Sequence, residues 1–454
     1  MSHVTKAGAP WLDSVPVGWQ GSRIRNEACL SPGLSGSPPM SEELCTLVPM
    51  ESVSEFGQIN FETRVPYEDV QSSLVSFEAG DVLFAKITPC MENGKGANVV
   101  DLPTRYAFGS TEFHVLRPRH TLDAKFLYYC TFNPVYRAYA AENMVGAAGQ
   151  KRVSSRFLKD SRIFLPTVAE QQRIAGYLDA SCRLIDAAVA AKRKQIDAAS
   201  LIFKAILQRT ITRGLANSGA SRPTGNAWLP EVPTGWGLVM LKRVCAIHGG
   251  LTLGKEYTGE LVTRPYLRVA NVQDGRLVLE DVSTIDVPVD IAERTRLQTG
   301  DVLMTEGGDL DKLGRGVVWR GEIEGCMHQN HVFAVRCTPW KLRPQFLAYV
   351  SASQYGRDYF EATGKKTTNL AATNSTKVGQ FPIPLPSISE QDEIIEYLDN
   401  EDAKARALRS SLDSQIEVLY AYRKSLIHEC VTGQRRITDE DVQRVAAHAA
   451  SAIA

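Results

Sequence analysis

Leu165-Pro166-Thr167-Val168-Ala169-Glu170-Gln171-Gln172-Arg173-Ile174-Ala175-Gly176-Tyr177-Leu178-Asp179 decides the fold of this chain, because it returns as Leu385-Pro386-Ser387-Ile388-Ser389-Glu390-Gln391-Asp392-Glu393-Ile394-Ile395-Glu396-Tyr397-Leu398-Asp399. Each copy begins with a proline turn and places Glu in what would be a first helical turn, where the helix dipole favours negative charge. No proline occurs between Pro166 and Pro223, and none after Pro386. Both stretches therefore predict long helices, the first running from Glu170 to about Thr212, roughly 60 Å at about 1.5 Å per residue. In the second helix Leu398, Ala405, Leu412, Leu419 and Leu426 recur at sevens, with Ile394 and Leu408 beside them. In the first, Leu178, Ile185, Ala199 and Ile206 hold the same register, with Ile174, Ala188 and Ile202 alongside. A sustained heptad needs a covering helix, and each of these is the natural cover for the other. Gln195 and Gln415 fall on one seam of this pattern, as a solvated stretch or as polar residues that set register.

The echo extends in both directions. Gly80-Asp81-Val82-Leu83 matches Gly300-Asp301-Val302-Leu303, Phe126 matches Phe346, Gln195-Ile196 matches Gln415-Ile416 and Thr212 matches Thr432, all with a shift of 220. Trp11, Pro16, Gly18 and Trp19 match Trp228, Pro233, Gly235 and Trp236 with a shift of 217. The globular parts alternate short β-type runs with Gly, Pro and Asn breakers, and each carries a helical run, Asp123 to Tyr139 (broken near Pro134) and Pro344 to Phe360. The expected class is α+β. Two mixed, strand-rich globular domains, 1–166 and 228–386, are each followed by a long α-helix, 167–214 and 387–433. A Gly/Ser/Pro linker at 215–227 joins the halves and a tail covers 434–454. Such a chain is expected to have an internal pseudo-twofold and to suit a target with two halves.

Hydrophobic content of 44% and charged content of 22% are ordinary for a globular protein, and no apolar run approaches the roughly 18 residues of a membrane span. The first ten residues lack a basic segment followed by an apolar one, so a cytoplasmic location is expected. Nine scattered cysteines without a CxxC pair predict reduced thiols. Fifty-one basic residues balance fifty-one acidic ones. A standalone DNA binder usually carries a basic excess, so any nucleic-acid role requires a partner that shares the phosphate attraction.

Four motifs imitate catalytic or ligand sites. Gly249, Gly254 and Lys255 have P-loop spacing, but Glu256 stands where the magnesium-binding Ser or Thr belongs, so the segment reads as a Gly-rich turn. Asn133-Pro134-Val135-Tyr136 lacks the second proline of an amino-methyltransferase box and reads as a helical surface turn. Cys326, His328, His331 and Cys337 fit no common zinc spacing. Asp81 and Asp301 each precede Val-Leu, and a turn into a strand accounts for them. No nucleophile elbow or triad signature occurs, so catalytic, cofactor-binding and metal residues are none. What remains are polar, basic loops: Lys86, Thr88, Asn93 and Lys95; Gln150, Lys151 and Arg152; Lys312 and Arg315; Gln329, Asn330 and His331; and Lys365, Lys366, Thr367 and Asn369. Arg and Lys contact guanine or phosphate, and Gln and Asn pair with adenine, so these are the DNA-binding candidates.

Taken together, the paired Trp openings, Gly-Asp-Val-Leu strands, Leu-Pro then Glu-Gln helix starts and Thr-Arg-Gly or Thr-Gly-Gln endings resemble the specificity subunit of type I restriction-modification systems. The resemblance covers nearly the whole chain. It implies that each globular part is a target recognition domain reading one half of a bipartite sequence in double-stranded DNA, with the helices paired antiparallel as a spacer. It further implies a subunit without catalytic activity that docks two methyltransferase subunits and, through them, restriction subunits. S-adenosylmethionine is then expected in the methyltransferase, and ATP and Mg in the restriction subunit. Within this reading the first helix's Arg173, Arg183, Lys192, Arg193, Lys194, Lys204, Arg209 and Arg213 form a basic face toward DNA or a partner, or a solvated coil face. Glu51 to Tyr67 and Val262 to Asp281 differ from each other, which implies two unlike half-sites. A coiled-coil scaffold without a DNA role is the alternative from another class, and a standalone enzyme is a second.

Overall fold

The computed structural model describes residues 6–9, 12–14, 16–147, 149–215, 220–273, 275–308, 313–314, 316–366 and 371–453. The chain divides into two compact units, Met1–Arg193 with Asp413–Ala454, and Lys194–Leu412. Each unit thus holds one globular domain and a piece of both long helices, rather than a domain with its own helix alone.

In the first unit an antiparallel sheet is ordered Ala28–Leu30, Phe113–Pro118, Val82–Ala85, Gly96–Asn98. In the second the order is Cys245–His248, Val332–Cys337, Asp301–Thr305, Gly316–Val318. The Val-Leu runs explain the central strand of each: Val82, Leu83, Phe84 and Ala85 are all buried, as are Val302, Leu303 and Met304. A strand buried on both faces reads as a continuous apolar run instead of an alternating one. Each domain adds a second, mixed sheet in which one pair is parallel, Ala107–Gly109 with Leu44–Val48 and Met327–His328 with Leu261–Leu267.

The opening and the close of each domain meet in space. Gln20–Arg23 pairs antiparallel with Arg162–Leu165, and Gly237–Met240 with Pro382–Leu385, so the Trp-containing opening lies against the Leu-Pro segment. From there the long helices run over Val168–Arg213 and Ile388–Val431. The helix expected to break near Pro134 is Ala124–Phe132 with Pro134–Glu142, and the run Pro344 to Phe360, expected as one helix, breaks likewise into Pro344–Ala352 and Gln354–Thr363. The C-terminal segment, expected as a tail, contains the helix Asp439–Ile453, whose preceding Ile437 is buried in the first domain's core.

Two repeated contacts bind each domain to its helix, and a third recurs within the helices. Buried Gln171 accepts from Asp123 N at 2.8 Å and donates Nε2 to the carbonyls of Thr121 and Pro166 at 3.1 and 3.0 Å. Buried Gln391 does the same with Arg343 N at 2.8 Å and the carbonyls of Lys341 and Pro386 at 3.0 Å each. The Tyr-Leu-Asp aspartates accept from tyrosine hydroxyls, Tyr129 to Asp179 at 2.8 Å and Tyr349 to Asp399. At the far end of each helix, Thr212 and Thr432 fold their hydroxyls back onto the carbonyls of Gln208 and His428.

The helices run antiparallel. In the first unit Lys192 Nζ donates to Gln415 Oε1 at 2.5 Å, Arg193 to the Tyr420 hydroxyl at 3.1 Å, and Arg423 pairs with Asp186 at 2.6 Å. Leu178 and Ile185 are buried in this unit, as is Leu426, and Leu419 is half-buried. In the second unit Leu207 and Ile211 share a core with Ile394 and Leu398, and Leu412 is buried. The heptad places Ile202 on the seam, but Ile202 is 61% exposed and Gln195 is exposed, while Ile196 and Phe203 turn inward. Likewise Leu408, Gln415 and Tyr422 are exposed and Ile416 and Arg423 are buried. A helix of 3.6 residues per turn drifts about 20° per heptad against a strict seven, so after four heptads the inward position has moved by nearly one residue.

Candidate nucleic-acid interface

In the first domain, the strand Val82–Ala85 leads into a corner where five of the candidate residues meet. Lys86 N donates to Glu112 O at 2.7 Å and Lys86 Nζ to Thr111 O at 2.6 Å. Thr88 N and Oγ1 both donate to Lys151 O, at 3.0 and 3.2 Å. An isolated bridge joins Ile87 to Arg152, and Arg152 sends Nε and Nη2 to Glu112 Oε1 at 3.1 and 2.8 Å. Arg152 Nη1 donates to the carbonyl of Gln150 at 3.1 Å, which folds Gln150 into the same corner. Hydrogen bonding from Arg152 holds the Glu112 carboxyl below its usual range. Burial pulls the Lys86 ammonium down, partly offset by Glu112. Asn93 is exposed in the turn that follows Pro89, whereas Lys95 is half-buried with its ammonium on the Met50 carbonyl at 2.9 Å. Lys95, like Lys86, thus has its ammonium committed to a backbone carbonyl of the fold.

The same place in the second domain carries different chemistry. Glu306, 220 positions after Lys86, receives His331 Nδ1 at 2.5 Å, and its backbone N donates to His331 O at 2.9 Å. Gly307 pairs with Ala372, which stands 220 positions after Arg152, and Ala372 also pairs with Lys365. Gln329 and Asn330 precede His331 in the same corner, both half-buried. The backbone of Lys366 pairs with Ala371 in that small sheet. Lys312, Arg315, Thr367 and Asn369, like Trp11 of the opening motif, lie outside the described residues. Sequence reading missed Glu112 and Glu306, the acidic partners that organise each corner. Their common signal was the position opposite Lys86 or His331 on the neighbouring strand, which only strand register reveals.

Two of the tempting motifs dissolve into core contacts. His328 is buried with Nδ1 2.6 Å from Val332 O, Cys326 is buried, and Cys337 faces Cys245 with sulfurs 3.5 Å apart. Among the described residues no group of three or more His, Cys, Asp or Glu is placed to hold a metal. The Asn133-Pro134-Val135-Tyr136 segment is not a surface turn, since Asn133 and Tyr136 are buried. Asn133 Oδ1 caps the following helix at Val135 N, 3.0 Å, and lies 3.2 Å from His428 Nδ1. Burial follows because the end of the second long helix packs on this break.

The first helix's basic residues divide in a similar way. Arg173 bonds to Ile437 O and Asp439, and Lys192 and Arg193 bond across to the second helix, whereas Arg183, Lys194, Lys204, Arg209 and Arg213 are exposed. No described helix is long and apolar enough to cross a membrane.

Two strand-rich domains joined to long paired helices, with polar corners at matched positions, define an internally repeated α+β architecture. Residues 68–198 match the family described as type I restriction modification DNA specificity domain. The type I restriction enzyme EcoAI specificity subunit of Escherichia coli is 33% identical over 161 residues, which is 35% of this chain and 27% of that protein. The StySPI specificity subunit of Salmonella potsdam is 22% identical over 342 residues, 73% of this chain and 70% of that one. The match thus spans about a quarter of the EcoAI relative and over two thirds of the StySPI one. Among solved structures, a chain from a study of complex assembly and conformational transition of the type I R-M system aligns with a TM-score of 0.70 at 19% identity, covering 92% of this chain and 98% of that one. The HsdS subunit from Thermoanaerobacter tengcongensis aligns with a TM-score of 0.51 at 17% identity, covering 93% and 98%. Residues 68–198 thus match a type I restriction modification DNA specificity domain, and the chain is similar in sequence and in fold to type I restriction enzyme specificity subunits.

Proposed function

We propose that the chain reads a bipartite, asymmetric DNA target, one half per globular domain, and docks methyltransferase subunits and through them a restriction subunit. One observation carries this reading: equivalent corners of two domains with the same sheet order present unlike side chains. Lys86, Glu112 and Arg152 stand in one, and Glu306, His331 and Ala372 in the other. Scaffold contacts such as Gln171 and Gln391 are repeated, so the divergence is local to the corners. Base edges in the major groove differ in donor and acceptor pattern, and unlike side chains select unlike sequences. Neutral net charge accords with a reader whose partners supply much of the phosphate attraction. Chemistry then resides in the partners, with S-adenosylmethionine in the methyltransferase and ATP and Mg in the restriction subunit, and the assembly works in the cytoplasm.

The test is a graft. Replacing Gly21 to Leu158 with the matching segment of another such subunit, co-expressed with the methyltransferase, should change one half of the methylated motif and leave the other half and its spacing intact. Methylation-sensitive sequencing of the host genome reads the result. A change in both halves, or the absence of any sequence-specific methylation with intact subunits, would overturn the reading.

A further inference from the structure

The Gly-rich segment that imitates a P-loop lines a cavity of about 330 Å³ in the second domain, together with Ile247, His248, Ile291, Arg294 and Thr295. Lys255 and Arg294 bring two cations to it, His248 a ring nitrogen pair, and Thr252 and Tyr257 hydroxyls. Neither Lys255 nor Arg294 makes an ion pair among the described residues, and no carboxylate lines the cavity. Two other surface cavities of this unit include acidic side chains, Glu231 in one and Glu322, Asp399 and Asp402 in the other. Glu256, which disqualifies the loop as a magnesium-dependent P-loop, is not among the lining residues.

The matching loop of the first half shows what this geometry takes. There Ser35, 217 positions before Thr252, donates both its backbone N and its Oγ to the Glu78 carboxylate, at 2.5 Å each. In the second half Gln298 stands 220 positions after Glu78, a neutral side chain in place of the acid. A loop that holds an internal anion in one domain lacks that anion in the other and gains Lys255 and Arg294 instead.

Position ties the cavity to the reading corner. Leu251 N donates to His328 O at 2.7 Å, Asn330 N to Leu251 O at 2.9 Å, and Leu251 bridges to Gln329. This close approach requires glycine beside it, since a Cβ on Gly250 would lie 2.2 Å from His328 O. The loop that carries Lys255 is thereby tied, through Leu251, to the segment of Gln329 and Asn330. Phosphate contacts position a protein on the duplex while base contacts specify sequence, and the two belong side by side. Resting on the function proposed above, we propose that this cavity binds a backbone phosphate of the DNA half-site that Gln329 and Asn330 read.

The experiment uses the chain co-purified with its methyltransferase subunits and a duplex carrying the methylated motif, and compares wild type with Lys255→Ala/Arg294→Ala. Loss of the cations that neutralise this one phosphate should lower the steepness of log affinity against log salt by about 0.9, the value per neutralised phosphate. Affinity should fall to a similar degree for cognate and unrelated duplexes, with the methylated motif unchanged, and Lys255→Arg should restore most of the slope that Lys255→Ala removes. An unchanged salt slope in a variant that still binds its motif would overturn the phosphate site and leave the DNA reading standing. Absence of specific binding by the wild-type complex would instead overturn the reading beneath it. Saturable calorimetric binding of inorganic phosphate or ATP that the double variant abolishes, with the DNA slope unmoved, would assign the cavity to a free phosphate compound and overturn the proposal.

Discussion

Asp301 and Arg336 meet in a two-pronged ion pair, Nε to Oδ1 and Nη2 to Oδ2 at 2.8 Å each, with the aspartate fully buried at the start of the central strand. Asp81 and Arg117 repeat it in the first domain at 2.7 and 2.8 Å. Each aspartate also accepts a turn N–H, from Gln298 and from Glu78, at 2.8 Å. The Gly-Asp-Val-Leu signature thus records a buried carboxylate that pins one strand to its neighbour and closes the turn before it.

Removing that carboxylate leaves a guanidinium beside the core and a turn N–H unpaired. Breaking a buried pair costs about 3–5 kcal/mol, and the 32% exposure of the Arg336 side chain lowers this because water reaches the orphaned charge. Asp301→Ala should therefore destabilise the second domain by about 2–3 kcal/mol. Urea unfolding followed by tryptophan fluorescence measures it, and a loss under about 0.5 kcal/mol, the level of an ordinary surface change, would contradict the assignment.

The glutamines of the repeated Glu-Gln pair are the clamps between domain and helix. Gln391→Leu fills similar volume but strands Arg343 N and the carbonyls of Lys341 and Pro386. At about 1–3 kcal/mol for an unpaired buried group, the loss should reach about 2–4 kcal/mol. Gln391→Glu should do no better, because a carboxylate would face those two carbonyls. Gln171→Leu should cost a similar amount in the first unit, and limited proteolysis near Pro386 or Pro166 should show which clamp has opened.

His114 supplies a pH dependence. Burial pulls its imidazole down to about 4 from an ordinary 6.5, with Nε2 2.9 Å from the Val153 carbonyl. Its folded pKa lies below the unfolded one, so the unfolded chain takes up a proton first as pH falls. The contribution is fully present above about pH 6.5 and is lost as pH drops toward 4, by about 3 kcal/mol at the acid limit at 1.36 kcal/mol per unit. Buried His328 is shifted downward as well and adds in the same sense. Stability measured at pH 7.5 and at pH 4.5 should differ less in His114→Gln, which retains a donor for Val153 O, than in the parent chain. An equal difference in both would mean that other groups carry the acid response.

Much of the architecture was legible because it is written twice. The helix starts, the central strands and the break near Pro134 all rest on local signals: proline punctuation, apolar runs and a first-turn glutamate. The seam is where local counting drifted. Ile202 and Leu408 satisfy sevens, but a 3.6-residue turn carries Phe203 and Ile416 inward instead. The partners of Asp301 and Asp81 were not legible, because they lie 35 and 36 residues away on strands whose register sets the meeting. Asn133 read as surface because what buries it includes His428, 295 residues later.

Sequence alone determined that this protein has two like domains, two long helices and no catalytic signature, since repeats, periodicity and spacing are properties of neighbours along the chain. Tertiary structure decided which loops share a corner, that Lys95 supports the fold while Arg152 faces Glu112, and that each compact unit takes the start of one helix and the end of the other. Those outcomes depend on strand register and antiparallel packing, which bring together residues separated by tens to hundreds of positions. Local pattern does not encode such meetings.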